Sequence, residues 1–362
     1  MNKIDWYILK KFVVTFFFCM VLFTLIAVAV DTSEKTDDFV KTGLSTLQII
    51  KQYYFGFVPF IWGLLFPLFV FIAVIFFTSR MATRSEIIAV LASGASYNRF
   101  LRPYIVGGLF FAALLWLGNS YVIPKANKIK SSFQANYFDK NDPMKNRQGS
   151  NSFYLKIDPV TYIGLKYYDT VTKSASSFFM ERVRDDKVVY NLRSNSIRWD
   201  TSVRKWRLLN VTERTVSGLT ELISQHNDTV INVSLKPEEL RKDDYLKDKL
   251  TTPELVAYIR REEARGREGL APSKVERYRR TATPATVLLL TLIGVVIASR
   301  RSRGGSGMHL ALGIVIAAIF IISDRFSTVF AIKSNFPPLL AAWLPNIVFS
   351  FVAYWMYRKT PK

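Results

Sequence analysis

Apolar residues in this chain gather into long blocks near both ends, while the middle alternates apolar and polar positions with a period of two. The blocks run over about 12–30, 55–78, 104–123, 282–299, 308–323 and 339–357. Each is close to the roughly 20 apolar residues that a helix rising about 1.5 Å per residue needs to cross a hydrocarbon layer. Pro59 and Pro67 fall inside the second block and predict kinks, which spans tolerate where neighbours satisfy the freed carbonyls. Pro124 closes the third block, and Asp324-Arg325 closes the fifth. FPPLLAAWLP then leads back into the sixth.

Between the third and fourth blocks, SFYLKI, VTYIGLKYYD, SSFFMERV, KVVYNLRS, SIRWD, KWRLLNVTE and TVINVSL alternate in the manner of half-buried strands. Asp, Asn, Gly and Ser separate them, and roughly eight short strands predict a β-sandwich or jelly roll. Phe153, Tyr162, Phe178 and Trp206 are its expected inward residues. After Leu235-Lys236-Pro237 the period turns helical in TPELVAYIRREEARG. The pattern therefore predicts an α-helical membrane protein with six transmembrane helices and a β-jelly-roll domain inserted between the third and fourth. Its parts are 1–123 (first membrane half, with a short connecting helix at about 80–95), 124–275 (β domain and linking helix) and 276–362 (second membrane half).

Charge orients this arrangement. The chain holds 49 Lys+Arg against 28 Asp+Glu, a net of +21. Lys3, Lys10 and Lys11 precede the first span; Arg80, Arg84, Arg99 and Arg102 follow the second; Arg300, Arg301 and Arg303 follow the fourth. Basic short loops mark the cytoplasmic side, so both termini are expected there and the β domain on the opposite side. The first block could be read as a signal peptide, but it is long enough to span and DTSEKTDD follows it in place of a small-residue cleavage site. Outside residues 124–280 the chain holds 18 basic against 7 acidic side chains, a net of +11, most of which positive-inside loops explain, and no nucleic-acid partner is expected. Residues 124–280 carry 31 basic against 21 acidic side chains, and this excess on the outer side suits an anionic partner.

Catalytic signatures are missing. The sequence contains no G-x-x-x-x-G-K-[ST], no H-E-x-x-H and no G-x-S-x-G. The single cysteine, Cys19, excludes an intramolecular disulfide, and the distant His226 and His309 predict no metal site. An apparatus of this kind without a P-loop must draw any power from another chain.

Three stretches resemble the lipopolysaccharide export permeases, the LptF/LptG family. They are FPLFVFIAVIFFTSRMATRSEIIAVLASGASYNRFLRPY with NSYVIPKANK, then TPELVAYIRREEARG with VERYRRTATPATVLLL, then LALGIVIAAIFIISDRF with FPPLLAAWLPN. The start IDWYILKKF is more similar to the LptG half. The resemblance implies a permease subunit of an ABC transporter in a bacterial inner membrane. It would extract lipopolysaccharide and pass it to a periplasmic bridge, without catalysis or a bound cofactor of its own. It implies an LptB-like ATPase dimer that uses ATP, a second six-span LptF-like subunit, and LptC-like and LptA-like periplasmic jelly-roll proteins. Competing readings are a membrane anchor whose β domain binds a periplasmic protein, and an enzyme acting on envelope lipids.

The resemblance also weights particular residues. Arg84, Ser85 and Glu86 fall where the family's cytoplasmic helix meets its ATPase; Glu86 is the acid among four arginines, which the positive-inside rule does not explain. Its plain alternative is a solvated surface charge. Lys35 and Lys41 follow the first span at headgroup height, and Arg325 sits at the expected outer end of the fifth. All three are candidates for the phosphates of the lipid head, against the alternative of interfacial snorkelling. Glu34 stands before Lys35 where the family has paired lysines.

Overall fold

The structure, a computed structural model, describes residues 3–138, 153–169, 172–185, 187–218, 220–233, 235, 237–240, 245–266, 269–300, 305–334 and 336–359. Arg301 and Arg303 of the second basic loop lie outside the described residues. Two compact units are present: Met1–Phe133 with Lys247–Val256 and Ala271–Lys362, and Gln134–Leu246 with Ala257–Leu270.

The first unit is helical. Its elements are α1 (Lys3–Glu34), α2 (Thr36–Lys41), α3 (Thr46–Ile49), α4 (Phe55–Thr83), α5 (Glu86–Ala92), α6 (Tyr97–Leu117) and α7 (Ile123–Phe133). Later in the chain come α8 (Leu246–Lys249), α9 (Thr252–Ala264), α10 (Ala271–Ala298), α11 (Gly305–Lys333) and α12 (Pro338–Arg358). Six helical stretches among the described residues are long and apolar enough to cross a membrane, three before the strands and three after. They are not strongly amphipathic, because a helix in hydrocarbon is apolar all round. Their faces differ in burial and not in residue type. Phe12 and Phe16 of α1, Phe66 of α4 and Phe111 of α6 are all buried, with the Phe16 and Phe111 ring centroids 4.2 Å apart. Val14, Phe18 and Val21 on the other side of α1 are exposed.

Several helix ends differ from expectation, each for a local reason. α1 continues through Asp31 to Glu34, since Asp31 is buried and paired instead of solvated. The third span does not stop at Pro124. A π-helical turn at Gly118–Val122 leads directly into α7, so the helical stretch runs on past Pro124 to Phe138. Asp324-Arg325 does not end the fifth span: α11 runs on to Lys333. Asp324 Oδ2 is 3.3 Å from Arg279 Nη2 of α10, so the acid stays inside the helix as half of an ion pair. The short helix expected over about 80–95 is narrower, because Arg80 through Thr83 still belong to α4.

The second unit carries one six-stranded antiparallel sheet in the order β1-β2-β3-β4-β5-β6 among the described residues. The strands are β1 (Phe153–Lys156), β2 (Thr161–Asp169), β3 (Ser174–Arg184), β4 (Lys187–Asp200), β5 (Lys205–Ser217) and β6 (Thr220–Ile231). KVVYNLRS and SIRWD form one strand, not two: pairing skips Asn195 without any change of register, and Ser194 Oγ donates to the carbonyls of Ser196 and Leu209 at 2.7 Å each. Ser177 and Asn210, with positive φ, are skipped by the register at the same level of the neighbouring strands. Trp206 and Phe178 are buried as expected, and the Trp206 indole donates to the Leu235 carbonyl at 2.7 Å. Tyr162 is exposed, because Thr161, Ile163 and Leu165 take the inward positions of β2. The side chain of Phe153 lies outside the described residues.

One close approach fixes the geometry used below. A Cβ on Gly56 of α4 would stand 2.6 Å from both the Ala126 carbonyl oxygen and the Lys130 nitrogen of α7. Backbone cannot yield as a side-chain tip does. Gly56→Ala is therefore expected to push α7 away and cost about 1–3 kcal/mol, read as a lowered thermal midpoint of the detergent-purified protein.

Candidate functional site

Glu86 is the first residue of α5, in the short link between α4 and α6. The link is shaped by two left-handed residues: Ser85 at φ 59° before the helix and Gly94 at φ 87° after it. Glycine adopts that region freely, whereas a serine pays for it, so the Ser85 turn is held by its surroundings. Ile87 provides the hold, since it is buried in the same apolar core as Phe12 and Phe100. The adjacent Ile88 is half exposed. α5 is thus pinned by one isoleucine and offers the next one outward.

The Glu86 carboxylate looks back to α1. Tyr7 Oη donates to Glu86 Oε2 at 3.2 Å, and Arg84 Nη1 lies 4.0 Å from Oε1. Of the three candidates here, Arg84 caps the end of α4 with its guanidinium exposed, Ser85 supplies the turn, and Glu86 alone is tied to another span. Tyr7 was invisible as a partner in the sequence, being 79 residues away.

The other end of the first unit holds Lys35. Its ammonium pairs with Asp31 Oδ1 and donates to Tyr53 Oη. Tyr53 Oη in turn donates to Asp31 Oδ1 at 3.2 Å. Among the described residues Asp31 Oδ2 is buried with no hydrogen-bond partner. Lys35 also lies over the Tyr53 ring, 4.9 Å from its centroid, and 5.6 Å from that of Phe57. Lys130 of α7 approaches Phe57 as well, at 5.7 Å, and sits 3.4 Å over Phe60. Two cations therefore share one aromatic wall, and one of them is already neutralised by an acid. The signal for the pair was the Asp31-x-x-x-Lys35 spacing, which puts both on one helical face.

The remaining candidates do not join this group. Lys41 is exposed, 3.7 Å from Asp38. Arg325 is exposed on α11. Among the described residues no contact links Lys35, Lys41 and Arg325. Close to α7 there is instead a buried polar knot that sequence reading missed. The Arg280 guanidinium, 4% exposed, donates to the Lys247 carbonyl at 2.9 Å and Thr252 Oγ1 at 3.2 Å, and pairs with Glu276 at 3.3 Å. Asn127 Nδ2 donates to the Asp248 carbonyl at 3.1 Å. Burial, and next the nearby Glu276 carboxylate, push the Asp248 carboxyl up from 3.8 to about 6.

Among the described residues no group of three or more His, Cys, Asp or Glu could hold a metal ion. A family model described as "Lipopolysaccharide export system permease LptF/LptG" matches residues 6–359. No curated protein matches the chain.

Two outcomes follow from these contacts. Lys35→Met leaves the Asp31 carboxylate buried and unpaired, which is expected to cost about 3–5 kcal/mol. Adding Asp31→Asn should recover most of the lost thermal midpoint, and a double variant as unstable as the single one would refute the pairing. For Asp248, the fold holds the proton more tightly than the open chain does. Its favourable contribution is complete below pH 3.8 and is lost as the pH rises through about 6. Asp248→Asn should raise the thermal midpoint at pH 8, and the gain should vanish towards pH 4.

Proposed function

The chain belongs to the LptF/LptG lipopolysaccharide export permease family, and from that premise we propose that it is a membrane subunit driven by a separate cytoplasmic ATPase that docks on α5. It has six membrane-crossing stretches and a β domain between the third and fourth, and its role is lipopolysaccharide transport. In the proposed arrangement both termini and α5 face the cytoplasm and the sheet faces the periplasm. A second six-span subunit of the same family completes the lipid pathway, and jelly-roll proteins beyond the membrane receive the lipid.

One observation carries this reading. α5 is a seven-residue helix braced by left-handed Ser85 and Gly94, anchored through Ile87 and presenting Ile88 beside Glu86. A solvated connector needs none of these features, while a docking element needs a fixed attitude and an apolar contact. The Tyr7–Glu86 hydrogen bond supports coupling, because force on α5 reaches α1 directly. At the far end of α1, Lys35 and Lys130 offer cations over Phe57 at the level proposed for lipid phosphates. There Asp31 acts as a placeholder anion, holding Lys35 until a phosphate competes for it.

The deciding experiment is a pull-down of the tagged, detergent-extracted chain, expected to bring down a P-loop ATPase and a second six-span subunit. Absence of both would favour the membrane-anchor reading, and lipid-modifying activity of the chain by itself would favour the enzyme. Within the complex, Glu86→Ala is expected to weaken ATPase retention about tenfold, the scale of one lost hydrogen bond to a charged group. Tyr7→Phe keeps the carboxylate and loses only the internal bond, so equal loss in both variants would show that Glu86 acts through Tyr7 and not on the ATPase.

A further inference from the structure

A cavity of about 430 Å³ opens where α1 begins and α4 ends. Lys10, Lys11 and Arg80 line its charged part, against the single carboxylate of Glu86. That carboxylate already accepts from Tyr7 and has Arg84 beside it. Lys11 turns to Tyr7, lying 4.3 Å over its ring. Among the described residues neither Lys10 nor Arg80 has an acidic partner, which leaves the cavity with an uncompensated positive charge. Its other wall is apolar, formed by Val14, Phe76, Phe77 and Met81.

The apolar wall continues out of the cavity. Val14, Phe17, Phe18, Val21, Leu22 and Leu25 are all exposed. Their spacing places them on one face of α1. From Val14 to Leu25 this strip rises about 16 Å, close to half of a hydrocarbon layer about 30 Å thick. A free anion would use the cations and leave the strip idle. A diacyl lipid uses both, with phosphate at Lys10 and Arg80 and an acyl chain along α1.

We infer that this cavity holds the phosphate headgroup of an anionic phospholipid from the leaflet at the α5 end of the helices. The bound lipid bridges α1 and α4 beside Glu86, so it stiffens the junction at which α5 meets the first span. Naming that leaflet cytoplasmic rests on the orientation proposed above; the lipid site itself does not.

The test is native mass spectrometry of the full-length chain in detergent with equal phosphatidylglycerol and phosphatidylcholine. Phosphatidylglycerol should be retained preferentially. Lys10→Gln with Arg80→Gln should weaken that retention about thirtyfold, about fivefold for each cation removed. Lys10→Arg with Arg80→Lys should keep it, and Lys3→Gln with Arg102→Gln, an equal loss of charge outside the cavity, should leave it unchanged. Equal retention of the two lipids, or full retention by the Gln variant, overturns the proposal. So does displacement of the lipid by millimolar inorganic phosphate alone, which would mark a simple anion site. Should the Gln variant not fold, a photoreactive phenylalanine analogue at Val14 in the otherwise unsubstituted chain gives the answer. Cross-linking to phosphatidylglycerol supports the site, and cross-linking only to a protein overturns it. None of these readouts needs the ATPase, so this proposal and the docking of α5 fail separately.

Discussion

A helix in hydrocarbon must satisfy its own polar groups, because no water is there to do it. That constraint organises the first unit. Side-chain hydroxyls close on carbonyls one turn back, as Thr24 does on Met20 and Thr291 on Val287. Asn346 spends its amide across helices, donating to the Ala282 carbonyl and accepting from Thr286. Two acids within the long helices are met by cations: Asp31 by Lys35, Asp324 by Arg279. Apolar surface then decides only which way each helix faces, and close contacts such as Gly56 against α7 decide how near neighbours come.

The same constraint explains what the sequence disclosed. Apolar blocks are long and uninterrupted, so the existence of the six helices was legible. Their ends were not, because a polar residue in sequence reads as an exit into water whether or not a partner waits. Asp324-Arg325 and DTSE were taken for boundaries, and tertiary pairing carried the helices through them. In the sheet, Ser-Asn-Ser has the composition of a turn, yet it is a one-residue break in pairing within β4, closed by the Ser194 hydroxyl bonds. Composition cannot distinguish the two, since both use small polar residues for the same local bonding.

The candidate residues divide along similar lines. Glu86 stood out because it broke a charge rule, a signal that survives without coordinates. Lys35 was readable as a cation but not as half of a buried pair, because Tyr53, which closes on Asp31, lies 22 residues away in the chain. Lys130 was one lysine of three near the end of the third span, and only its approach to Phe57 and Phe60 separates it from Lys125 and Lys128. Arg280 carried no signal at all; its role depends on the Lys247 carbonyl of α8 and the Thr252 hydroxyl of α9. Family membership supplies the task, while these contacts are what this chain brings to it.

α1 is unbroken from Lys3 to Glu34, without a proline or glycine. Its 32 residues span about 48 Å. Tyr7 lies in its second turn and Asp31 in its last. Such a helix behaves as a strut: it has no joint at which to absorb an axial load. Tyr7 and Asp31 are joined by one continuous helix, and at Asp31 stands an ion pair whose strength falls with separation. The first span thus joins, through one unbroken helix, a hydrogen bond at one end and an ion pair at the other.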